Sequence, residues 1–345
     1  MDTKKSEGGL SFERIWKLAL GFRASKCILS AVSLGVFTQL AAGPMDESSL
    51  RNATGINARG SRDFFDMLVA LNILKRTGDM YENTPESAHF LDRAKPTYIG
   101  GFLEMCDSRL YGFWGSLNDA LLTGKAQSEV GKKDSENELF SSIYSSPEKL
   151  QRFLRAMTGL SIATGRALAR EFPWEQVSSF VDVGAAQGAV AVQLAHIHPH
   201  LRGVGMDLPA VEPVFQSYVD EHGLSDRLQF LARDFFKSPL PSADVIVMGQ
   251  ILHDWGMQTR RMLLKKAFDA LPDGGSLIVY ETLIDDEREK ADAGLLMSIN
   301  MLIMTPEGGN FTGRDCRQWM MDAGFSRTSV HHLSGPDWMV VGTKG

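Results

Sequence analysis

His253 is the residue whose type and position first promise chemistry. It lies in Leu252-His-Asp-Trp255, four residues past the apolar run Val245–Gly249, and Glu281 follows the next apolar run, Ser276–Tyr280. Histidine is the side chain best suited to take a proton near neutral pH. A carboxylate that accepts from its other ring N–H fixes the ring and favours its charged form. Such a pair removes a proton from a hydroxyl. The plainer alternative is a histidine that caps a helix beside a partner carboxylate.

A second stretch supplies the ligand. Phe180-Val-Asp-Val-Gly-Ala-Ala-Gln-Gly188 runs from apolar, strand-compatible residues into a turn of small residues, and an apolar helical run follows from Ala189 to Ala195. Strand, tight turn and helix N-terminus make up the geometry of a nucleotide-type site at the edge of a parallel sheet. Asp207 closes the next apolar run, about 20 residues on, where such sites set an acid against ribose hydroxyls. The pattern is not G-x-G-x-x-G, because Ala186 holds the second glycine place. A pyrophosphate needs that glycine for close backbone approach, whereas a ligand without phosphates does not. The turn therefore suits a nucleoside without phosphates, which points to S-adenosylmethionine. Its sulfonium methyl is already electrophilic, so transfer requires alignment of a nucleophile and removal of its proton rather than a metal.

The elements that must carry these residues alternate from Ser179 onward. Phe180–Val183, Leu201–Asp207, Leu228–Ala232, the near-continuous apolar run Val245–Gly249 and Ser276–Tyr280 read as strands, with helices at Gly188–His196, Val211–Gly223 and Thr259–Leu271. A helix at Arg314–Ala323 and a hairpin of Thr328–Leu333 with Trp338–Gly342 complete the pattern. This predicts an α/β fold with a Rossmann-like, doubly wound, seven-stranded sheet that ends in an antiparallel hairpin. Ligands in such sheets lie beyond the strand carboxyl ends. The residues there are Asp182 to Gly188, Asp207-Leu208, Asp234-Phe235, Gly249 to His253 and Glu281.

The N-terminal half reads as helical. Helical spacing covers Phe12–Leu20, Ala24–Leu40, Glu47–Thr54, Ser61–Leu71 and Phe102–Leu121, and Ile73–Tyr81 reads as a hairpin. Helix, helix and hairpin together resemble a winged helix, used either on DNA or for dimerisation. The candidate second helix sets only Arg59 and Arg62 against Asp63 and Asp66, too few cations to neutralise many phosphates. The aromatic cluster Tyr111, Phe113, Trp114 reads as core or as a pocket wall. Gly124–Asn137 reads as a surface loop. The helix Pro147–Glu171 aligns Phe153, Met157 and Ser161 on one face, as core or as site. The expected domains are 1–165, helical, for dimerisation and part of the substrate pocket, and 166–345, for catalysis.

Composition narrows the class. The net charge is −6, which disfavours a nucleic-acid partner, and the three cysteines are far apart, which suits a reducing compartment. Met1–Leu10 is polar, with no secretory signal, and no apolar stretch has the length of a membrane span, so a cytoplasmic protein is expected. His196, His198 and His200 could suggest a metal, but no acid or cysteine adjoins them, and Asp285-Asp286-Glu287 reads as a solvated charge run; no metal is expected.

Taken together, Val181-Asp-Val-Gly184 with Gly188, Gly205-Met-Asp-Leu-Pro209, Arg233-Asp-Phe-Phe236, Leu252-His-Asp-Trp255 and Pro272-Asp-Gly-Gly275 resemble the class I S-adenosylmethionine-dependent small-molecule O-methyltransferases of the caffeate, acetylserotonin and phenazine type. The resemblance spans nearly the whole chain. It implies His253 as general base and Glu281 as the acid that orients it. It implies cofactor contacts from Ser161, Asp182, Gly184, Asp207, Leu208, Asp234, Phe235, Gly249 and Trp255. It implies acceptor contacts from Phe153, Met157, Met297, Asn300, Met301, Met304 and Asn310, around a hydroxylated aromatic or polyketide-like metabolite. It also implies a homodimer. Three places depart from the family: Ala185 and Ala186 replace glycines, Gly249 stands where plant members carry a lysine, and Asn310 stands where they carry a second acid beside the base. Two other readings stay open. One is a protein of this fold that uses S-adenosylmethionine for non-methylating chemistry (decarboxylation, hydroxylation or a pericyclic reaction). The other is a ligand-sensing winged-helix regulator.

Overall fold

Val245-Ile-Val-Met-Gly249 is apolar on both faces, and a strand of that kind is stable only with a layer on each side. The computed structural model, which describes residues 11–129, 144, 146–290 and 293–345, places it at the centre of a seven-stranded sheet. Met1–Leu10 and residues 130–137 of the expected loop lie outside the described residues.

The N-terminal unit ends at Arg109. Its helices Gly21–Ser33, Val36–Gln39, Glu47–Thr54 and Ser61–Ala70 enclose Val36, Phe37, Leu50, Phe65 and Leu68, all fully buried. Beside them lies a small antiparallel sheet of β1 (Met45–Asp46), β2 (Leu74–Thr77) and β3 (Met80–Asn83), in the order β1-β3-β2. The expected hairpin is thus present with a third short strand added, and Gly78 turns it at φ +60°. Arg62 and Arg76 both pair with Asp66, which also accepts from the Tyr81 hydroxyl at 2.7 Å.

The second unit runs from Leu110. The division falls earlier than the expected 165/166, because the helix Pro147–Glu171 packs along the helix Ala189–Ile197 of the sheet layer. Ser146 caps this long helix by accepting from the Lys149 N–H, and Pro147 occupies its first turn. The expected helix Phe102–Leu121 is instead broken into Gly100–Met105, a π turn Cys106–Leu110, Tyr111–Trp114 and Leu117–Thr123. Gly112 and Gly115 weaken helix propagation there.

The large sheet consists of β4 (Ser179–Val183), β5 (Arg202–Asp207), β6 (Leu228–Ala232), β7 (Val245–Gly249), β8 (Ser276–Thr282), β9 (Arg327–Ser334) and β10 (Asp337–Thr343). Their order is β6-β5-β4-β7-β8-β10-β9, parallel through β8 and antiparallel beyond it. Alternate residues feed opposite faces. Phe180, Val245, Val247 and Ile278 enter one core, and Val181, Val183, Ile246, Met248, Leu277 and Val279 the other. Strand order reverses between β4 and β7, which opens a crevice at their carboxyl ends. The register Val183↔Met248 and Gly249↔Tyr280 brings the glycine turn, the His253 segment and the end of β8 to that one edge.

Candidate functional site

The glycine turn is built by main-chain bonds. Gly184, at φ +74°, donates to the Met206 carbonyl at 2.8 Å, and Ile251 fills the space a Cβ at 184 would need. Ala186 sits at φ +49°, so an alanine takes the left-handed position where glycine carries no penalty. Its N–H donates to Asp207 Oδ2 at 2.9 Å, and the Leu208 N–H donates to Oδ1 at 2.7 Å. Thr158 of the long helix reaches the Gln187 side chain of the same turn at 3.2 Å.

Two carboxylates are buried beside this turn. Burial, reinforced by the charge of Asp207, pushes the Asp182 carboxyl up to about 7. Burial pushes Asp207 up to about 6 against the opposing pull of its two N–H donors. Such a pair suits hydroxyl donors and positive charge and repels phosphate. Asp234 and Phe235 adjoin it, since the Arg233 N–H donates to the Asp207 carbonyl at 2.9 Å. The Phe235 and Trp255 rings stand edge to face, 6.1 Å apart, and offer an apolar wall. This set of groups fits S-adenosylmethionine, which presents a ribose diol, an ammonium and a sulfonium, and an adenine for the wall.

His253 is held in a short helical turn, Leu252–Asp254, and is buried. Its Nδ1 lies 3.1 Å from Glu281 Oε2, and its Nε2 lies 3.5 Å from Asp254 Oδ1. The His253 N–H also faces Glu281 Oε1 at 3.3 Å. Burial lowers the imidazole's proton affinity, but the charges of Glu281 and Asp254 outweigh it and raise the group to about 9. Burial likewise raises Asp254 to about 6, against the pull of the imidazolium. Arg260 braces the segment from below, donating to the Leu252 carbonyl at 2.9 Å and to the Gly309 carbonyl.

In the sequence Asp254 entered only as part of Leu252-His-Asp-Trp255. The structure makes it the second carboxylate at the imidazole. Asn310, which the resemblance sets in the place of a second acid, donates to the Thr282 carbonyl, and its backbone N–H faces Ser298 at 3.2 Å. The loop before it still wraps His253, since the Gly309 N–H donates to the His253 carbonyl at 2.8 Å.

Gly249 lies under the Tyr280 ring, and any side chain there would fall inside that ring. Tyr280 is buried, with its hydroxyl at Ser161, and burial and nearby carboxylates hold that hydroxyl protonated. Ser161 thus faces the end of β8, Phe153 packs against the sheet core, and Met157 is half-buried between them on the helix. The late helix Ala293–Met304 packs against Leu252–Asp254 and against Tyr111–Trp114. Trp114 Nε1 donates to Asn300 Oδ1 at 3.0 Å, which ties the aromatic cluster to an expected acceptor contact. Met301 and Met304 are buried on this helix, and Met297 is half-buried near the Asn300 amide. His198 and His200 each bond a backbone carbonyl, of Ala169 and Trp174 respectively.

A family model described as the O-methyltransferase domain matches residues 114–326, and one described as the O-methyltransferase dimerisation domain matches residues 16–93. Over 333 residues the chain is 41% identical to the tetracenomycin polyketide synthesis 8-O-methyl transferase TcmO of Streptomyces glaucescens, covering 96% of each. Over 331 residues it is 34% identical to the N,N-dimethyltransferase OxyT of Streptomyces rimosus, covering 95% of each. Among solved structures it is similar to human N-acetylserotonin methyltransferase in complex with S-adenosylmethionine, at a TM-score of 0.90 and 28% identity, over 99% of this chain and 100% of that one.

Proposed function

The chain belongs to the S-adenosylmethionine-dependent O-methyltransferase family, and on that premise we propose that it methylates a hydroxyl of a small aromatic or polyketide-like metabolite, with His253 as general base. The observation that carries this reading is the buried imidazole of His253, with Glu281 at one nitrogen and Asp254 at the other. The acceptor class rests on the relative that acts in tetracenomycin polyketide synthesis.

When bound, S-adenosylmethionine supplies an electrophilic methyl group. Asp207 and Leu208 would hold its ribose side, Asp182, Gly184 and Ser161 its methionine side, and Asp234, Phe235 and Trp255 its adenine. Gly249, which lies under the Tyr280 ring, would meet the cofactor only through its backbone. Glu281, 3.1 Å from Nδ1, would orient the His253 ring, and Nε2, on the Asp254 side, would take the acceptor proton. Asp254 stabilises the imidazolium that results. Phe153, Met157, Met297, Asn300, Met301, Met304 and Asn310 would shape the acceptor side, where flexible methionines suit flat rings. General base catalysis of this kind is worth roughly 10²–10⁴-fold. The enzyme would act as a homodimer through its N-terminal domain.

The test is turnover to S-adenosylhomocysteine across a panel of phenols, hydroxylated polycyclic aromatics and amines, with products identified by mass. A methylated phenol supports the reading, and a methylated amine alone would move the acceptor to nitrogen. Tight cofactor binding without any methylated product would favour non-methylating chemistry. His253→Ala should lower kcat by roughly 10²–10⁴-fold and leave S-adenosylhomocysteine affinity within about 2-fold; full kcat would sink the base assignment.

A further inference from the structure

One carboxylate outside the catalytic pair gathers three elements of the site. Asp337 opens β10 and stands opposite Thr282 in the antiparallel register with β8. It accepts from Thr164 Oγ1 at 2.6 Å, Thr282 Oγ1 at 2.9 Å and Gln250 Nε2 at 3.3 Å. Thr164 lies one helical turn past Ser161, and Thr282 follows Glu281 directly. Gln250 joins Gly249 to Ile251, two residues before Leu252-His253.

Gln250 is where this grip has most to do. Its backbone lies at φ +55°, the left-handed region, in a residue that has a Cβ. Such a conformation persists only where the surroundings over-determine it. Its N–H is fixed by the Tyr280 carbonyl at 3.0 Å, and its side chain is held by Asp337. The bend it makes sends Ile251 into the hollow over Gly184 and delivers His253 beside Glu281.

We propose that Asp337 is a positioning residue for both halves of the site, holding the cofactor turn through Gln250 and the His253–Glu281 pair through Gln250 and Thr282, with the Ser161 helix locked to them through Thr164. An asparagine can do most of this, since its carbonyl oxygen accepts from Thr282 and Gln250 while its amide meets the Thr164 hydroxyl. An alanine leaves three donors without their acceptor.

The test compares Asp337→Ala and Asp337→Asn in the full chain, reading the S-adenosylhomocysteine Kd by calorimetry and kcat and KM for an acceptor the parent methylates. The affinity arm stands whether or not His253 is the base. Misplacement of reacting groups costs up to about 100-fold, so Asp337→Ala should weaken S-adenosylhomocysteine and lower kcat by about 10-fold or more each, with acceptor KM within about 3-fold. Asp337→Asn should stay within about 3-fold of the parent on both. A folded Asp337→Ala protein with parental Kd and kcat, whatever its Tm, would overturn the proposal, as would an asparagine variant as impaired as the alanine. Should Asp337→Ala fail to fold, Thr164→Val and Thr282→Val each remove a single donor. Each should then weaken S-adenosylhomocysteine at little cost in Tm, and unchanged affinity in both would overturn the proposal.

Discussion

A histidine with a carboxylate at each ring nitrogen releases its proton late, and this governs how His253 answers to pH. With the imidazole raised to about 9 by Glu281 and Asp254, the unliganded site holds it as imidazolium at pH 7. In the proposed mechanism the neutral form takes the acceptor's proton, and that form becomes populated only as pH rises toward 9. The rate of methyl transfer should therefore climb with pH through the neutral range, and single-turnover rates between pH 6 and 9.5 measure it. Glu281→Gln and Asp254→Asn each remove one of the charges that hold the proton, so each should move the rising limb to lower pH. A profile that is flat across that range, or unmoved by both changes, would leave another group as the base. That His253 and Glu281 come to one edge of the sheet was legible in sequence, because one lies just past β7 and the other at the carboxyl end of β8. The position of Asp254 was not, since only the folded turn shows that its carboxylate returns to Nε2.

At the scale of elements, the strands richest in apolar residues were the most legible. Val245–Gly249 and Leu228–Ala232 lie where the apolar pattern puts them. The interruption of Phe102–Leu121 was less visible, because helical spacing continues through glycines that stop the helix. Nor could sequence bring Asp337 to Thr164, 173 positions away, since that contact depends on the antiparallel return of β10 along β8. Gly249 illustrates the same limit. Its sequence neighbours do not show that Tyr280, its partner across the β7–β8 ladder, covers it. The covering ring makes a sharp expectation. Gly249→Ala forces a Cβ into a buried aromatic, and overpacking of this kind costs about 1–3 kcal/mol. Chemical denaturation should show that loss, and Tyr280→Leu combined with Gly249→Ala should recover part of it by vacating the space. A Gly249→Ala protein as stable as its parent would mean that the ring swings aside freely.

At the scale of the whole molecule, the surface of the N-terminal unit asks for a second chain. The helix Glu13–Ala19 has no buried residue, and Phe12, Ile15, Trp16 and Leu18 are each at least 60% exposed, with Phe22 exposed just beyond. Large apolar side chains clustered on one short helix are costly to leave in water and mark an association surface. The match of residues 16–93 to a dimerisation domain supports the same use. Among the described residues no single helix is long and apolar enough to cross a membrane, although Glu13–Ser33 with Val36–Ala42 passes as a pair bent by 51°. Light scattering should accordingly report a particle of two 38.0 kDa chains. Ile15→Glu with Trp16→Glu places two charges on that surface, and desolvating them would oppose association. The double variant should run as a monomer, or dissociate at concentrations where the parent stays paired, with the far-ultraviolet spectrum of a folded chain. A parent protein that is monomeric at every concentration tested would remove the dimer. A double variant that still pairs as tightly as the parent would move the interface away from this helix.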